Sequence, residues 1–159
     1  LAEHPEYLDE PMYQATLTPE EIEKLKTVTR QEYQERKWTW WMKIMTTIAQ
    51  ENVRQIWAAG GVLVAGTDQT SGPALHRELE LLADAGIPAS EIIRIATLNG
   101  AVFLGKERDM GSIEEGKIAD LVLLAADPTA DIRNASQVVQ VIKGGQVVDR
   151  SGLALPINQ

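Results

Sequence analysis

Hydrophobic and polar residues alternate along this chain with periods that assign most of its elements. Thr18-Pro19-Glu20-Glu21 has the spacing of a capping box, with Pro19 at the first helical position, so a helix is expected to start there. A charged run over residues 20–37 leads into Trp38, Trp40, Trp41, Ile44, Met45, Ile48, Val53, Ile56 and Trp57 at helical spacing, and Gly60-Gly61 ends the pattern. One helix of about forty residues is unusual in a compact domain, so a break near Thr39 is expected. Residues 62–65 form a short, continuously apolar run between glycines, the mark of a central parallel strand covered on both faces. A loop over residues 66–73 then precedes a second apolar helical face, Leu75, Leu79, Leu82 and Ala83, which stops at Gly86. Ser90 is placed to cap a helix over residues 91–104, with Ile92, Ile95, Ala96 and Phe103 on one face and Gly105 at its end. Beyond Gly111 the period changes to two. A strand is expected over residues 119–125, closed by Asp127-Pro128, and a hairpin over residues 138–142 and 146–148, joined by Gly144-Gly145. Residues 1–17, with Pro5 and Pro11 and no period, read as irregular chain, and residues 151–159 as a loose tail.

Composition narrows the function classes. A chain of 159 residues with 44% hydrophobic content is long enough for a real core and for one domain or a little more. Its formal charge of −8 leaves no basic stripe for phosphates, so nucleic acid is not an expected partner. No apolar run approaches the roughly 18 residues of a membrane span, and the N-terminus lacks the charge and apolar stretch of a signal peptide. A soluble, cytoplasmic protein is expected. The absence of cysteine removes disulfides, thiolate nucleophiles and Cys-ligated zinc. Leu rather than Met at the first position suggests processing or a longer parent protein. The pattern thus divides into an α/β part over residues 18–104 and a β part over residues 105–150. One strand among helices makes no sheet, and a complete (β/α)8 barrel needs about 250 residues, so the remainder is expected to be missing or supplied by another chain.

Four stretches in order carry a family likeness: AGGVLVAGTD, HRELELLADAGIPASEIIRIATLNGAVFLG, GSIEEGKIADLVLLAADP and VVQVIKGGQVV. Their succession, over about residues 58–149, resembles the C-terminal portion of the metal-dependent amidohydrolase superfamily, particularly its imidazolonepropionase-like and prolidase-like members. The resemblance implies an α/β fold, the last part of a (β/α)8 TIM barrel followed by strands of a small composite β-sandwich domain. It implies that residues 62–65 belong to the eighth strand and that Asp68 sits at the mouth beside a divalent metal, zinc in the first instance. Asp68 would then be both a metal neighbour and the proton shuttle for a metal-activated water that attacks an amide, cyclic amide, peptide or related ester bond. On its residues alone, Asp68 reads first as a loop carboxylate accepting backbone N–H groups, as Asp commonly does at strand exits.

The same loop offers Thr67, Gln69, Thr70 and Ser71 as polar contacts for a small-molecule substrate, and His76 follows at the start of the next helix. Turn formation and helix capping explain these residues too. The His-x-His pair and single histidine ligands of the family cannot be assigned, because His4 and His76 are the only histidines. A lone carboxylate does not hold zinc, which takes about three protein ligands even in an open site, so this chain alone is expected to be inactive. Asp120 reads as a turn residue, the tryptophans as packing groups, and the charge run over residues 20–37 as a solvated face. Unpaired strands and exposed apolar surface would favour self-association or a complementary chain. Two other classes stay open: a metal-free binding or scaffolding module, and one subunit of a split hydrolase whose partner carries the histidines.

Overall fold

A computed structural model of the chain describes residues 4–35, 38–68 and 72–151. The chain divides into two compact units, one built mainly on the residues up to Ala49 and the other mainly on the stretch from Gln50 to Asp149.

In the first unit, the stretch expected to be irregular carries a 3-10 turn, Pro5–Asp9, and a short helix α1 (Pro11–Gln14). A proline opens each, presetting φ where a missing N–H costs nothing, and the Gln14 side chain donates to the Leu8 carbonyl at 2.7 Å. Helix α2 (Pro19–Lys24) starts at the expected capping box: Glu21 N–H donates to Thr18 Oγ1 at 3.2 Å, and Thr18 N–H donates to the Glu21 carboxylate at 2.8 Å. A π-helical turn, Leu25–Thr29, joins α2 to α3 (Arg30–Glu35), so the helical path is already distorted before the expected break. Leu8 and Ile22 are buried and form the apolar interior here. Helix α4 (Trp38–Ala58) follows, and on it Trp40, Trp41, Met45 and Ile48 are exposed.

The second unit begins within α4. Its core is Leu79, Leu82, Ile87, Ile92, Ile95 and Ile132, with Val53, Trp57, Leu63 and Ala65 packed against it. Three helices end as the glycines anticipate. At the end of α4, Gly60 adopts φ 82°, its N–H bonds the Trp57 carbonyl at 2.9 Å, and Gly61 N–H bonds the Ile56 carbonyl at 2.8 Å. Helix α5 (Gly72–Asp84) repeats this at Gly86, with Ile87 N–H on the Leu82 carbonyl at 3.2 Å and both of those side chains buried. Gly105 does the same for the last helix.

The helix expected over residues 91–104 is two helices, α6 (Ala89–Ala96) and α7 (Leu98–Phe103), separated by Thr97 at φ −126°, ψ −85°. Ser90 is not the cap. The Pro88 carbonyl instead accepts from Glu91 and Ile92 N–H at 2.9 and 3.0 Å, and the helix starts at Ala89. Ile92 is fully buried on α6. Ile92→Ala is expected to cost about 2–5 kcal/mol of stability, through lost transfer energy and a residual cavity, read as a lower midpoint in chemical denaturation.

The β part is a three-stranded antiparallel sheet in the order β1 (Leu121–Leu124), β2 (Val138–Lys143), β3 (Gln146–Val147). The first strand is shorter than residues 119–125, and its pairing with β2 shifts register between Leu123 and Leu124. Gly144 and Gly145 have φ 57° and 80°, the two positive angles a two-residue hairpin turn needs. Asp120 behaves as the turn residue expected: its carboxylate accepts from Gly144 N–H at 2.7 Å and from Lys143 Nζ at 2.9 Å. Those bonds, the Gly144 amide first, hold its carboxyl below the usual range.

Candidate active site

The segment leading to Asp68 is held by helices rather than by a sheet. Residues 61–67 join no β-ladder among the described residues, which corrects the strand expected over residues 62–65. A ladder requires a neighbouring extended segment, and the described residues place none beside this one. The alternation of an extended chain is nevertheless present: Leu63 and Ala65 pack on the core, while Val62 and Val64 are 72% and 43% exposed. Two hydrogen bonds fix its backbone. Ala65 N–H donates to the Ile95 carbonyl at 3.4 Å, and the Asn99 side-chain amide donates to the Leu63 carbonyl at 2.9 Å. Upstream, a Cβ on Gly61 would lie 2.5 Å from Ile56 Cγ2 and 2.7 Å from the Ile56 carbonyl oxygen, so only glycine fits where the chain leaves α4.

Thr67 and Asp68 are both exposed at the far end of this segment. Among the described residues no hydrogen bond or ion pair engages the Asp68 carboxylate. Gln69, Thr70 and Ser71, expected as substrate contacts, lie outside the described residues. Asp127 shows what a turn-forming carboxylate does, accepting from Thr129 N–H two residues on at 2.8 Å; the corresponding position after Asp68, Thr70, lies outside the described residues.

His76 sits one turn into α5 and is half-buried. Its Nδ1 is buried without a hydrogen-bond partner among the described residues. Burial lowers its pKa below 6.5, and the charge of Glu80 opposes that only in part. Neighbouring Arg77 is engaged by Glu80 at 2.7 Å. The unfolded chain therefore binds a proton at His76 more readily than the folded one, so stability from this group is present above pH 6.5 and falls as the pH drops through that value. Glu78, raised by burial, acts in the opposite sense at lower pH. Comparing His76→Gln with the parent isolates the histidine: the variant's stability is expected to lose this decline, measured by denaturant unfolding across the range.

The described residues contain no group of three or more His, Cys, Asp or Glu side chains able to hold a metal ion. Asp68 fits as one oxygen donor or as a base beside a metal, not as a centre by itself. Sequence reasoning missed Asn99, whose amide ties the segment before Asp68 to α7. Its signal was its place in the ATLNGA part of the second family-like stretch, directly before Gly100. None of the described helices is long and apolar enough to cross a membrane.

Comparison with known proteins bears on this arrangement directly. The amidohydrolase family model matches residues 8–148. An imidazolonepropionase from Shouchella clausii is 30% identical over 112 residues, covering 65% of this chain and 25% of that protein. A 5-methylthioadenosine/S-adenosylhomocysteine deaminase from Moorella thermoacetica is 33% identical over 87 residues, covering 45% and 20%. Among solved structures, a Xaa-Pro dipeptidase crystallised with methionine in its active site shares 31% identity at a TM-score of 0.59, over 63% of this chain and 25% of that one. The chain spans about a quarter of the length of such relatives. With the family model running through both the Asp68 segment and the β1–β3 sheet, this chain belongs to the amidohydrolase family.

Proposed function

We propose that this chain forms the C-terminal part of a hydrolase that cleaves C–N bonds in a small molecule, with Asp68 as the group that moves the proton. The single observation that carries this reading is the exposed Asp68 carboxylate, without a hydrogen bond or ion pair among the described residues, at the end of the segment that follows α4 and inside the span matched by the family model. In this reading residues 62–65 belong to the eighth strand of a (β/α)8 barrel, whose active sites lie at the C-terminal ends of the strands. The β1–β3 sheet is then part of a composite β-sandwich. The exposed Val62 and Val64 and the exposed apolar residues of α4 support the presence of further protein against this one, from another part of the whole protein or from a second chain.

Asp68 accepts a proton from the attacking water and returns it to the departing nitrogen, so that neither a hydroxide nor an amide anion has to exist free. His76, neutral because of its burial, and Thr67 contact the substrate. The family generally uses a divalent metal, zinc by preference in this proposal, and a cation near a water makes that water a stronger acid. Its remaining ligands belong outside the described residues. The relatives' names delimit the substrates to be tried: an imidazolone, a Xaa-Pro dipeptide and an aminopurine nucleoside. In the whole protein, hydrolysis of at least one of the three is expected to disappear on chelation and to return with added divalent metal. Turnover indifferent to chelation, or none with any of the three, would count against the proposal.

A further inference from the structure

Resting on that reading of Asp68, we infer that Asn99 is a positioning residue for it. The segment before Asp68 joins no ladder among the described residues, so no neighbouring strand restrains how far it slides or twists. Restraint comes from the α6–α7 junction. Leu63 and Ala65 are alternate residues of an extended chain, and their backbone groups are bonded by Asn99 Nδ2 at 2.9 Å and by the Ile95 carbonyl at 3.4 Å. These bonds lie three and five residues before Asp68.

The junction is broken where these bonds require it. In an uninterrupted helix the Ile95 carbonyl would accept from the N–H of Asn99, four residues on. The break at Thr97, whose hydroxyl turns back to the Ile93 carbonyl at 2.7 Å, leaves the Ile95 carbonyl to Ala65 and starts α7 with Asn99 in its first turn. The Thr-Leu-Asn-Gly stretch thus has a physical reading. The helix breaks at Thr97, and asparagine carries a short amide donor to the Leu63 carbonyl. A carboxylate at position 99 would have the same shape and nothing to donate.

The test uses the whole protein with its metal and compares Asn99→Asp, Asn99→Ala and Asp68→Asn. Misplacing a reacting group by about 1 Å costs on the order of 10²-fold in rate, so Asn99→Asp is expected to lower kcat about 10–100-fold with KM within a few-fold. Its rate relative to the parent is expected to recover as the pH is lowered, because the protonated carboxyl introduced at position 99 regains a donor. Amide hydrogen exchange is expected to quicken at residues 63–67 and to stay unchanged in β1 and β2. Asn99→Ala removes the donor without adding charge; it is expected to show the same kcat loss and local exchange without the recovery, and it carries the test if Asn99→Asp does not fold. If Asp68→Asn abolishes turnover while both Asn99 variants keep parental kcat, this inference fails and the catalytic reading stands. If Asp68→Asn turns over normally, the catalytic reading fails first. Exchange that quickens throughout the second unit, with kcat falling only in step with stability, would also overturn the positioning role.

Discussion

Asp68→Asn in the whole protein is expected to lower kcat by about 10²- to 10⁴-fold while leaving KM nearly unchanged, the signature of a proton-transfer group acting only in the transition state. The amide keeps the size of the carboxylate and cannot accept the proton. The surroundings of Asp68 suit this experiment: the side chain is exposed and makes no hydrogen bond or ion pair among the described residues, so little change in stability is expected. Thermal unfolding of the variant should match the parent. Steady-state kinetics and a melting curve on the same sample separate a chemical role from a structural one.

A loss of stability as large as that at Ile92 is expected at Gly111. Its φ is +92°, and a Cβ there would lie 2.6 Å from Ala101 Cβ and 3.1 Å from Leu98 Cα, on the helix that carries Asn99. Gly111→Ala combines a left-handed backbone, about 1–2 kcal/mol for an L residue, with overpacking against backbone and a buried methyl, about 1–3 kcal/mol. A total of about 2–5 kcal/mol follows, measured by chemical denaturation. Gly116→Ala is the control, because φ there is +89° but no atom lies within 4 Å of the added carbon. Only the backbone part should remain. A Gly111→Ala variant no less stable than Gly116→Ala would show that Gly111 does not press on α7 as described.

What was legible in the sequence was whatever neighbouring residues decide among themselves. Thr18 and Glu21 satisfy each other's backbone, so four residues suffice to reveal the start of α2. Gly144-Gly145 reveals the hairpin because two consecutive positive φ angles suit few other residues, and Gly60, Gly86 and Gly105 stop helices for a related reason. Asp120 was readable as a turn residue from its place before a β-run, and the Gly144 amide it accepts from lies where that reading requires.

Thr97 was illegible for the opposite reason. Ile92, Ile95, Ala96 and Phe103 keep helical spacing straight through it, and the groups that favour a break, the Leu63 carbonyl and the Ala65 amide, lie some thirty positions upstream. The same holds for residues 62–65. Leu63 and Ala65 face the core, but Val62 and Val64 are exposed where a covered second face was expected, and no property of four residues supplies the neighbours that make a strand part of a sheet. At the candidate site, Asp68 stood out through the order of motifs around it, whereas Asn99 acts through a contact that only the folded chain makes.

The most direct test is a crystal structure of the whole protein with a non-hydrolysable substrate analogue. An Asp68 carboxylate oxygen is expected about 2.6–3.2 Å from the oxygen that stands in for the attacking water. A carboxylate turned into solvent, with another base at that oxygen, would contradict the assignment of Asp68.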